Sequence, residues 1–170
     1  ADERATEGLR DELACILTSQ ERTKGISGFA ISRRNFIGKI WIKYGGWYPS
    51  PQLKLFRKGT FFYEEVSVHC RAFMGGDCQV LKNDIVHYSY RDFDDFLNKL
   101  NNQPRLEADK WFLDERKVSL TKTLRKAIDR FIRTYVFKRG YRDGFLGFMV
   151  ALFAGLYQLL SYAKYWERKH

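Results

Sequence analysis

The spacing of apolar residues along the chain predicts a mixed α/β protein. Apolar residues at helical spacing predict an amphipathic helix over residues 5–19. Stretches with strand character follow over residues 26–41, 52–57, 60–70 and 79–90. From Arg91 onward the pattern becomes helical. We therefore expect an α/β region followed by a helical region.

The C-terminal third combines a basic amphipathic helix with an apolar one. Ten Lys and Arg residues lie between Glu115 and Arg142, interleaved with apolar residues at helical spacing. Residues 144–163 then form a run of twenty without a charge. This order favours association with an anionic membrane surface, and such a run is just long enough to span about 30 Å of hydrocarbon. The alternative is a pair of helices buried at a domain or dimer interface.

Composition narrows the class of partner. The chain has 170 residues, 45% of them hydrophobic, which excludes a disordered chain. Its net charge of +10 favours anionic partners such as nucleotide-sugar diphosphates, acidic lipids or nucleic acids. No nucleic-acid-binding signature is present in the sequence, so we do not expect that partner. Three cysteines without metal-ligand spacing favour a reducing, cytosolic setting.

The first candidate for chemistry is the acidic pair Asp2 and Glu3, directly before the first predicted helix. Acidic residues there commonly do no more than favour the positive end of the helix dipole. Preceded by another aspartate, Asp2 would complete a D-x-D motif. Two such carboxylates bind Mg²⁺ or Mn²⁺. Both interpretations remain open at this point.

The second candidate is an aromatic loop followed by a polar strand. Trp47 lies in the loop, and Gln52 and Arg57 lie on the stretch after it. Aromatic rings stack on sugars, while Gln and Arg bind hydroxyls or phosphates. The alternative is that Trp47 packs on the core.

The third candidate is a carboxylate that could act as a general base. Strand alternation places Glu65 and His69 on the face opposite Val66 and Val68. Deprotonation of an acceptor hydroxyl requires such a base, so Glu65 is the first candidate and Asp77 the alternative. His87 is a weak candidate for a metal ligand. A Cys-His hydrolase is poorly supported, because His69 and Cys70 are adjacent and would face opposite sides of a strand.

Seven segments in this order resemble the family 2 glycosyltransferases that glucosylate lipopolysaccharide or lipooligosaccharide cores in bacteria. They are Ala1-Asp2-Glu3-Arg4, Gly46-Trp47-Tyr48-Pro49, Gln52-Leu53-Lys54-Leu55-Phe56-Arg57, Val68-His69, His87-Tyr88-Ser89-Tyr90, and Tyr135–Gly140 with Asp143–Phe148. The resemblance covers nearly the whole chain. It implies a GT-A-type fold, a nucleotide-sugar donor (a UDP-sugar), a divalent cation (Mg²⁺ or Mn²⁺) and inversion at the anomeric carbon.

The resemblance also implies roles for individual residues. In that family a D-A-D-E-R segment binds the metal through its two aspartates; Asp2 matches the second, and the first would precede Ala1. Trp47, Gln52 and Arg57 match the stretch beside the acceptor, with His69 a further candidate for substrate binding. Many relatives have Val-His-Glu where this chain has Val68-His69-Cys70. The base is therefore expected to be Glu65 or Asp77 here.

On this basis residues 1–100 are expected to be the C-terminal portion of a GT-A catalytic domain, without its nucleotide-binding half. Residues 101–170 are expected to be a helical, membrane-associating region. The expected function is hexose transfer from a nucleotide sugar to a lipid-linked or lipopolysaccharide-core glycan. The expected location is the cytoplasmic face of the bacterial inner membrane, with the protein peripheral or embedded. The 170 residues alone are expected to be inactive. The alternative is a non-catalytic basic protein that binds the membrane surface.

Overall fold

The computed structural model describes residues 2–19, 23–63 and 72–170 and confirms a mixed α/β chain. The elements are β1 (Glu3–Ala5), α1 (Glu7–Thr18), β2 (Ile26–Ile31), β3 (Arg33–Ile37), β4 (Ile40–Ile42), β5 (Gln52–Phe56), β6 (Phe61–Tyr63), β7 (Ala72–Met74), β8 (Asp77–Val80), β9 (Ile85–Tyr90), α2 (Phe93–Leu113), α3 (Leu120–Ile132) and α4 (Gly144–Lys169). The chain divides into two compact units. The β unit comprises Ala1–Phe36 and Trp47–Ser89, and the helical unit comprises Ile37–Gly46 and Tyr90–His170.

In the β unit, helix α1 packs on a small sheet. Strand β2 lies between β5, which is antiparallel to it, and β8, which is parallel. Leu9 and Ile16 of α1 are buried against a sheet-side cluster that includes Phe29 and Ile31. The helix begins after Thr6, whose hydroxyl accepts a hydrogen bond from the backbone N–H of Leu9 at 3.2 Å.

A second set of strands in the β unit carries the candidate site. Strand β9 lies between β1 and β3, and it is antiparallel to β1. Strands β6 and β7 form a separate antiparallel pair. The remainder of the predicted strand over residues 60–70, beyond Tyr63, lies outside the described residues.

The prediction of one strand over residues 79–90 is wrong. Two strands, β8 and β9, occupy this stretch and are separated by residues 81–84. The carboxylate of Glu12 accepts hydrogen bonds from the backbone N–H groups of Lys82 (3.0 Å) and Asn83 (2.9 Å). Because the Glu12 carboxylate binds these two N–H groups, they do not pair with a neighbouring strand.

In the helical unit, α4 packs against both α2 and α3. Phe96 and Phe153 meet edge to face at 4.8 Å, and the Trp111 and Tyr165 rings lie 6.2 Å apart. Turns over Arg133–Phe137 and Gly140–Asp143 connect α3 to α4. The uncharged run of residues 144–163 lies within α4. Among the described residues, helical stretch 140–169 is long and apolar enough to cross a membrane.

Candidate functional site

Strands β1 and β9 bring together two segments that are far apart in the sequence. Glu3 lies opposite His87 in the antiparallel register, and the N–H of Tyr88 donates to the carbonyl of Asp2 at 2.8 Å. This register places Oδ2 of Asp2 3.5 Å from Nε2 of His87. A carboxylate and an imidazole therefore lie side by side at the start of β1.

The other nitrogen of the His87 ring is fixed by Asn35. Nδ2 of Asn35 donates to the carbonyl of Trp47 at 2.7 Å, so Oδ1 of Asn35 is the atom that faces His87, 2.7 Å from Nδ1. An amide oxygen only accepts, so Nδ1 of His87 carries the proton and Nε2 retains its lone pair. The hydroxyl of Ser89 donates to the same Oδ1 at 3.2 Å. This is the arrangement in which a histidine is oriented as a metal ligand.

Burial and charge keep the imidazole neutral and the carboxylate ionised. Asn35 is 5% exposed, and the side chains of His87 and Asp2 are 16% and 73% exposed. Burial, followed by the charge of Arg33, lowers the pKa of His87, although Asp2 and Glu3 oppose the shift. A backbone hydrogen bond lowers the pKa of the Asp2 carboxyl, with a smaller contribution from His87. At neutral pH both groups therefore present electron pairs to a cation.

Glu3 does not extend this donor pair. Nζ of Lys54 lies 2.8 Å from Oε2 of Glu3, and Nη1 of Arg33 lies 3.9 Å from Oε1. The positive charges of Lys54 and Arg33 thus offset the negative charge of Glu3, which lies on the same side of the strands as His87. Within the described ranges, no group of three or more His, Cys, Asp or Glu side chains is arranged to bind a metal.

The predicted substrate-binding residues are only partly brought together. The Trp47 carbonyl belongs to the Asn35 and His87 network. Gln52 is exposed at the first residue of β5, opposite Ile31. Arg57 follows the other end of β5, about 17 Å along the strand from Gln52. It lines a cavity of about 260 Å³ in the β unit. Gln52 and Arg57 therefore cannot contact the same small group.

The alternative base candidate, Asp77, does not lie in the Asp2–His87 cluster. Asp77 is exposed at the start of β8 and pairs with Ile26. That position is about 17 Å along β2 from Ile31, at the end away from β3. Glu65 and His69 lie outside the described residues. The assignment of Glu65 or Asp77 as the base stays a prediction.

Sequence reasoning missed Asn35 and Ser89. Ser89 lies two residues after His87 on β9, and alternation puts both on one face. Asn35 is a buried amide within a strand, a position that demands a hydrogen-bond partner. The alternation of His87 and Ser89 was available in the sequence, whereas the burial and the partners of Asn35 depend on the pairing of β9 with β3.

The loop that carries Trp47 is anchored by a second polar cluster. Asp84 is 4% exposed and accepts hydrogen bonds from Nε of Arg34 at 2.7 Å and from the Tyr48 hydroxyl at 3.2 Å. Burial, then the charge of Asp84, raises the pKa of Tyr48. The cluster positions the backbone carbonyl of Trp47 for Asn35.

Two comparisons with known proteins do not assign the chain to a family. No protein-family model matches the chain, and no solved structure matches it.

Proposed function

We propose that this chain is the C-terminal part of an inverting, metal-dependent glycosyltransferase of family 2. In this proposal it transfers a hexose from a UDP-sugar to a lipid-linked or lipopolysaccharide-core glycan. The observation that supports the proposal best is the contact of Asp2 with His87, whose Nδ1 is held by Asn35. The contact joins the Asp-Glu-Arg and His-Tyr-Ser-Tyr segments on which the resemblance rests.

The donor set suits Mg²⁺ or Mn²⁺ bound together with a substrate. These ions are commonly bound by one or two protein ligands, with waters and substrate phosphates completing the shell. Asp2 supplies a carboxylate oxygen, the ligand type that suits both ions, and His87 an imidazole nitrogen, a softer ligand that favours Mn²⁺ over Mg²⁺. When bound, the cation neutralises the charge of the leaving nucleoside diphosphate.

The remaining residues of the cluster either orient the His87 ring or offset the charge of Glu3. Asn35 and Ser89 fix the orientation and tautomer of the His87 ring. Arg33 and Lys54 offset the charge of Glu3, so that Asp2 provides the local negative charge. In this proposal Glu65 or Asp77 deprotonates the acceptor hydroxyl, and Trp47 lies beside the acceptor sugar.

The proposal includes a GT-A-type fold whose nucleotide-binding half is encoded before Ala1. It also places the protein at the cytoplasmic face of the bacterial inner membrane. The long apolar stretch over residues 140–169 is consistent with membrane association.

A transfer assay on the product of the complete gene tests this function. Release of UDP from UDP-glucose, and label transfer to a lipopolysaccharide-core acceptor, are measured with Mn²⁺ and with EDTA. We expect transfer that requires the cation and a product of inverted anomeric configuration by NMR. The 170 residues alone serve as a control expected to be inactive. A complete gene product that transfers no hexose from any nucleotide sugar in a donor panel would refute the proposal.

The second candidate is a non-catalytic protein that binds anionic membrane through its basic helix. The exposed apolar side chains of α3 favour it, since a surface helix normally buries such residues. Under this alternative, lipid binding persists while no nucleotide sugar is consumed, with or without Mn²⁺.

A further inference from the structure

Helix α3 exposes its large apolar side chains and buries small ones. Thr123 and Ala127 are 3% and 7% exposed, whereas five large residues spaced by four along α3 and the turn that follows it are each 40–60% exposed. These are Leu120, Leu124, Ile128, Ile132 and Val136, which we call the α3 stripe. Residues at this spacing lie along one flank of a helix, so they form a continuous surface.

The stripe continues onto neighbouring aromatic residues. The rings of Phe131 and Tyr135 lie 6.0 and 5.9 Å from the ring of Phe148 on α4. Phe148 is itself 37% exposed, and Phe145, one turn earlier, is 72% exposed. The exposed apolar surface therefore spans two helices, and such a surface commonly marks an interaction site.

The charges beside the stripe identify its partner. Five basic residues lie on α3 or directly after it, against a single acidic residue, Asp129, on the helix. They are Lys122, Arg125, Lys126, Arg130 and Arg133. An apolar stripe bordered by Lys and Arg complements the acyl boundary and the anionic headgroups of a phospholipid surface.

The packing of α4 determines how the protein meets that surface. A Cβ on Gly155 of α4 would lie 2.9 Å from the carbonyl oxygen of Ala127, so α3 packs closely on one side. Phe153 and Tyr165 pack on α2 at the other. Helix α2 is rich in charge, carrying Asp94, Asp95, Lys99, Arg105, Glu107, Asp109 and Lys110. A helix of that composition does not enter hydrocarbon, so α4 cannot span the bilayer while packed on it.

We infer that the helical unit docks on anionic membrane through the α3 stripe and lies on the bilayer without crossing it. This inference goes beyond the transferase proposal and does not depend on it, because lipid binding is measured without a sugar donor.

Vesicle sedimentation of the full chain tests the inference, using phosphatidylcholine vesicles with and without about one quarter phosphatidylglycerol at about 0.15 M salt. We expect binding only to the anionic vesicles and release by about 1 M salt. Ile128→Ser with Ile132→Ser should lower the partition coefficient about tenfold or more. The matched control, Leu17→Ser with Val80→Ser, removes exposed apolar residues of the β unit and should leave it within about twofold.

A charge variant keeps the test decisive if the serine variant does not fold. Lys126→Gln with Arg130→Gln should weaken binding about tenfold or more, with an unchanged thermal melt by circular dichroism. Lipid binding that survives both double substitutions would overturn the inference. So would protein that stays in the membrane after salt and alkaline extraction, which indicates spanning. Self-association that Ile128→Ser with Ile132→Ser abolishes, without loss of lipid binding, would assign the stripe to a second copy and overturn it as well.

Discussion

Oδ2 of Asp2 lies 3.5 Å from Nε2 of His87, and Asn35 Oδ1 lies 2.7 Å from the other nitrogen of the same ring. The ring is therefore held on one side by a neutral acceptor and faces a carboxylate on the other. A histidine with this tautomer offers an electron pair to a cation at the position of Nε2. The proposed cation site depends on this contact.

Removing either member of the pair should abolish most transfer by the complete gene product. Asp2→Asn and His87→Gln should each lower kcat/KM by about a hundredfold, since each removes one protein ligand of the cation. Initial rates of UDP release at several Mn²⁺ concentrations measure this. Asp11→Asn, an exposed acidic residue on α1, is the matched control and should be neutral. Wild-type rates in both variants would show that Asp2 and His87 do not bind the cation.

Asn35 should matter both for stability and for the orientation of His87. Asn35→Ala removes the Nδ2 donor of the Trp47 carbonyl and the acceptor 2.7 Å from Nδ1 of His87, at a cost of about 1–3 kcal/mol in the free energy of unfolding. Oγ of Ser89, 3.0 Å from Nδ1, orients the ring less firmly by itself. Mn²⁺ affinity should fall about tenfold to a hundredfold. Urea unfolding and isothermal titration calorimetry measure the two effects. Asn102→Ala, at an exposed position, should lower neither; equal behaviour of the two variants would contradict the positioning role.

Glu12 should contribute stability that depends on pH. Burial raises its pKa, but hydrogen bonds from Lys82 and Asn83 to the carboxylate outweigh burial and lower it below its ordinary value. The contribution is therefore present above about pH 4.5 and is lost as the pH falls through the folded-state pKa. Glu12→Gln should be less stable near pH 7 and lose less stability on acidification.

The midpoints of urea unfolding are measured for Glu12→Gln and for wild type at a series of pH values from about 7 downwards. The difference between the two proteins reports on Glu12, because the other titrating groups contribute equally to both. Asp11→Asn, which removes an exposed carboxylate from the middle of the same helix, is the control, and the change in pH profile should be larger for Glu12→Gln than for Asp11→Asn. A profile for Glu12→Gln that parallels wild type would show that the turn over residues 81–84 does not depend on the carboxylate.

Gly155 should be required for the packing of α4 on α3. An alanine in a helix normally gains up to about 1 kcal/mol over glycine, but a Cβ here would meet the Ala127 carbonyl oxygen at 2.9 Å. Backbone must move to admit it, so we expect Gly155→Ala to destabilise the protein by about 1–3 kcal/mol. Thermal melts test this against Gly75→Ala, where a Cβ would meet nothing within 4 Å. A stabilised Gly155→Ala variant would contradict the close approach of the helices.

Local pattern predicted the helices better than the strands. The apolar spacing over residues 5–19 predicts α1, and the absence of charge over residues 144–163 predicts the apolar part of α4. The single strand predicted over residues 79–90 was wrong because Glu12, on a distant helix, binds the backbone there. Tertiary hydrogen bonds of this kind cannot be predicted from the alternation of apolar and polar residues along a strand.

Individual residues of the candidate site could be predicted from the sequence, but the contacts between them could not. Asp2 and His87 could each be singled out by residue type and motif, yet only the register of β1 on β9 places them in contact. Asn35 was missed because its role depends on Trp47 and His87, which reach it through separate strands and loops. The α3 stripe was visible as apolar spacing, but its exposure depends on Thr123 and Ala127 forming the buried face.

Pulsed electron paramagnetic resonance of Mn²⁺ bound to the complete gene product with UDP shows whether His87 coordinates the cation. Nitrogen modulation from a directly coordinated imidazole is the predicted result in the wild type. His87→Gln should abolish that modulation, while His170→Gln, at the exposed C-terminus, should preserve it. Modulation that persists in His87→Gln, or its absence from the wild-type spectrum, would contradict a cation site at Asp2 and His87.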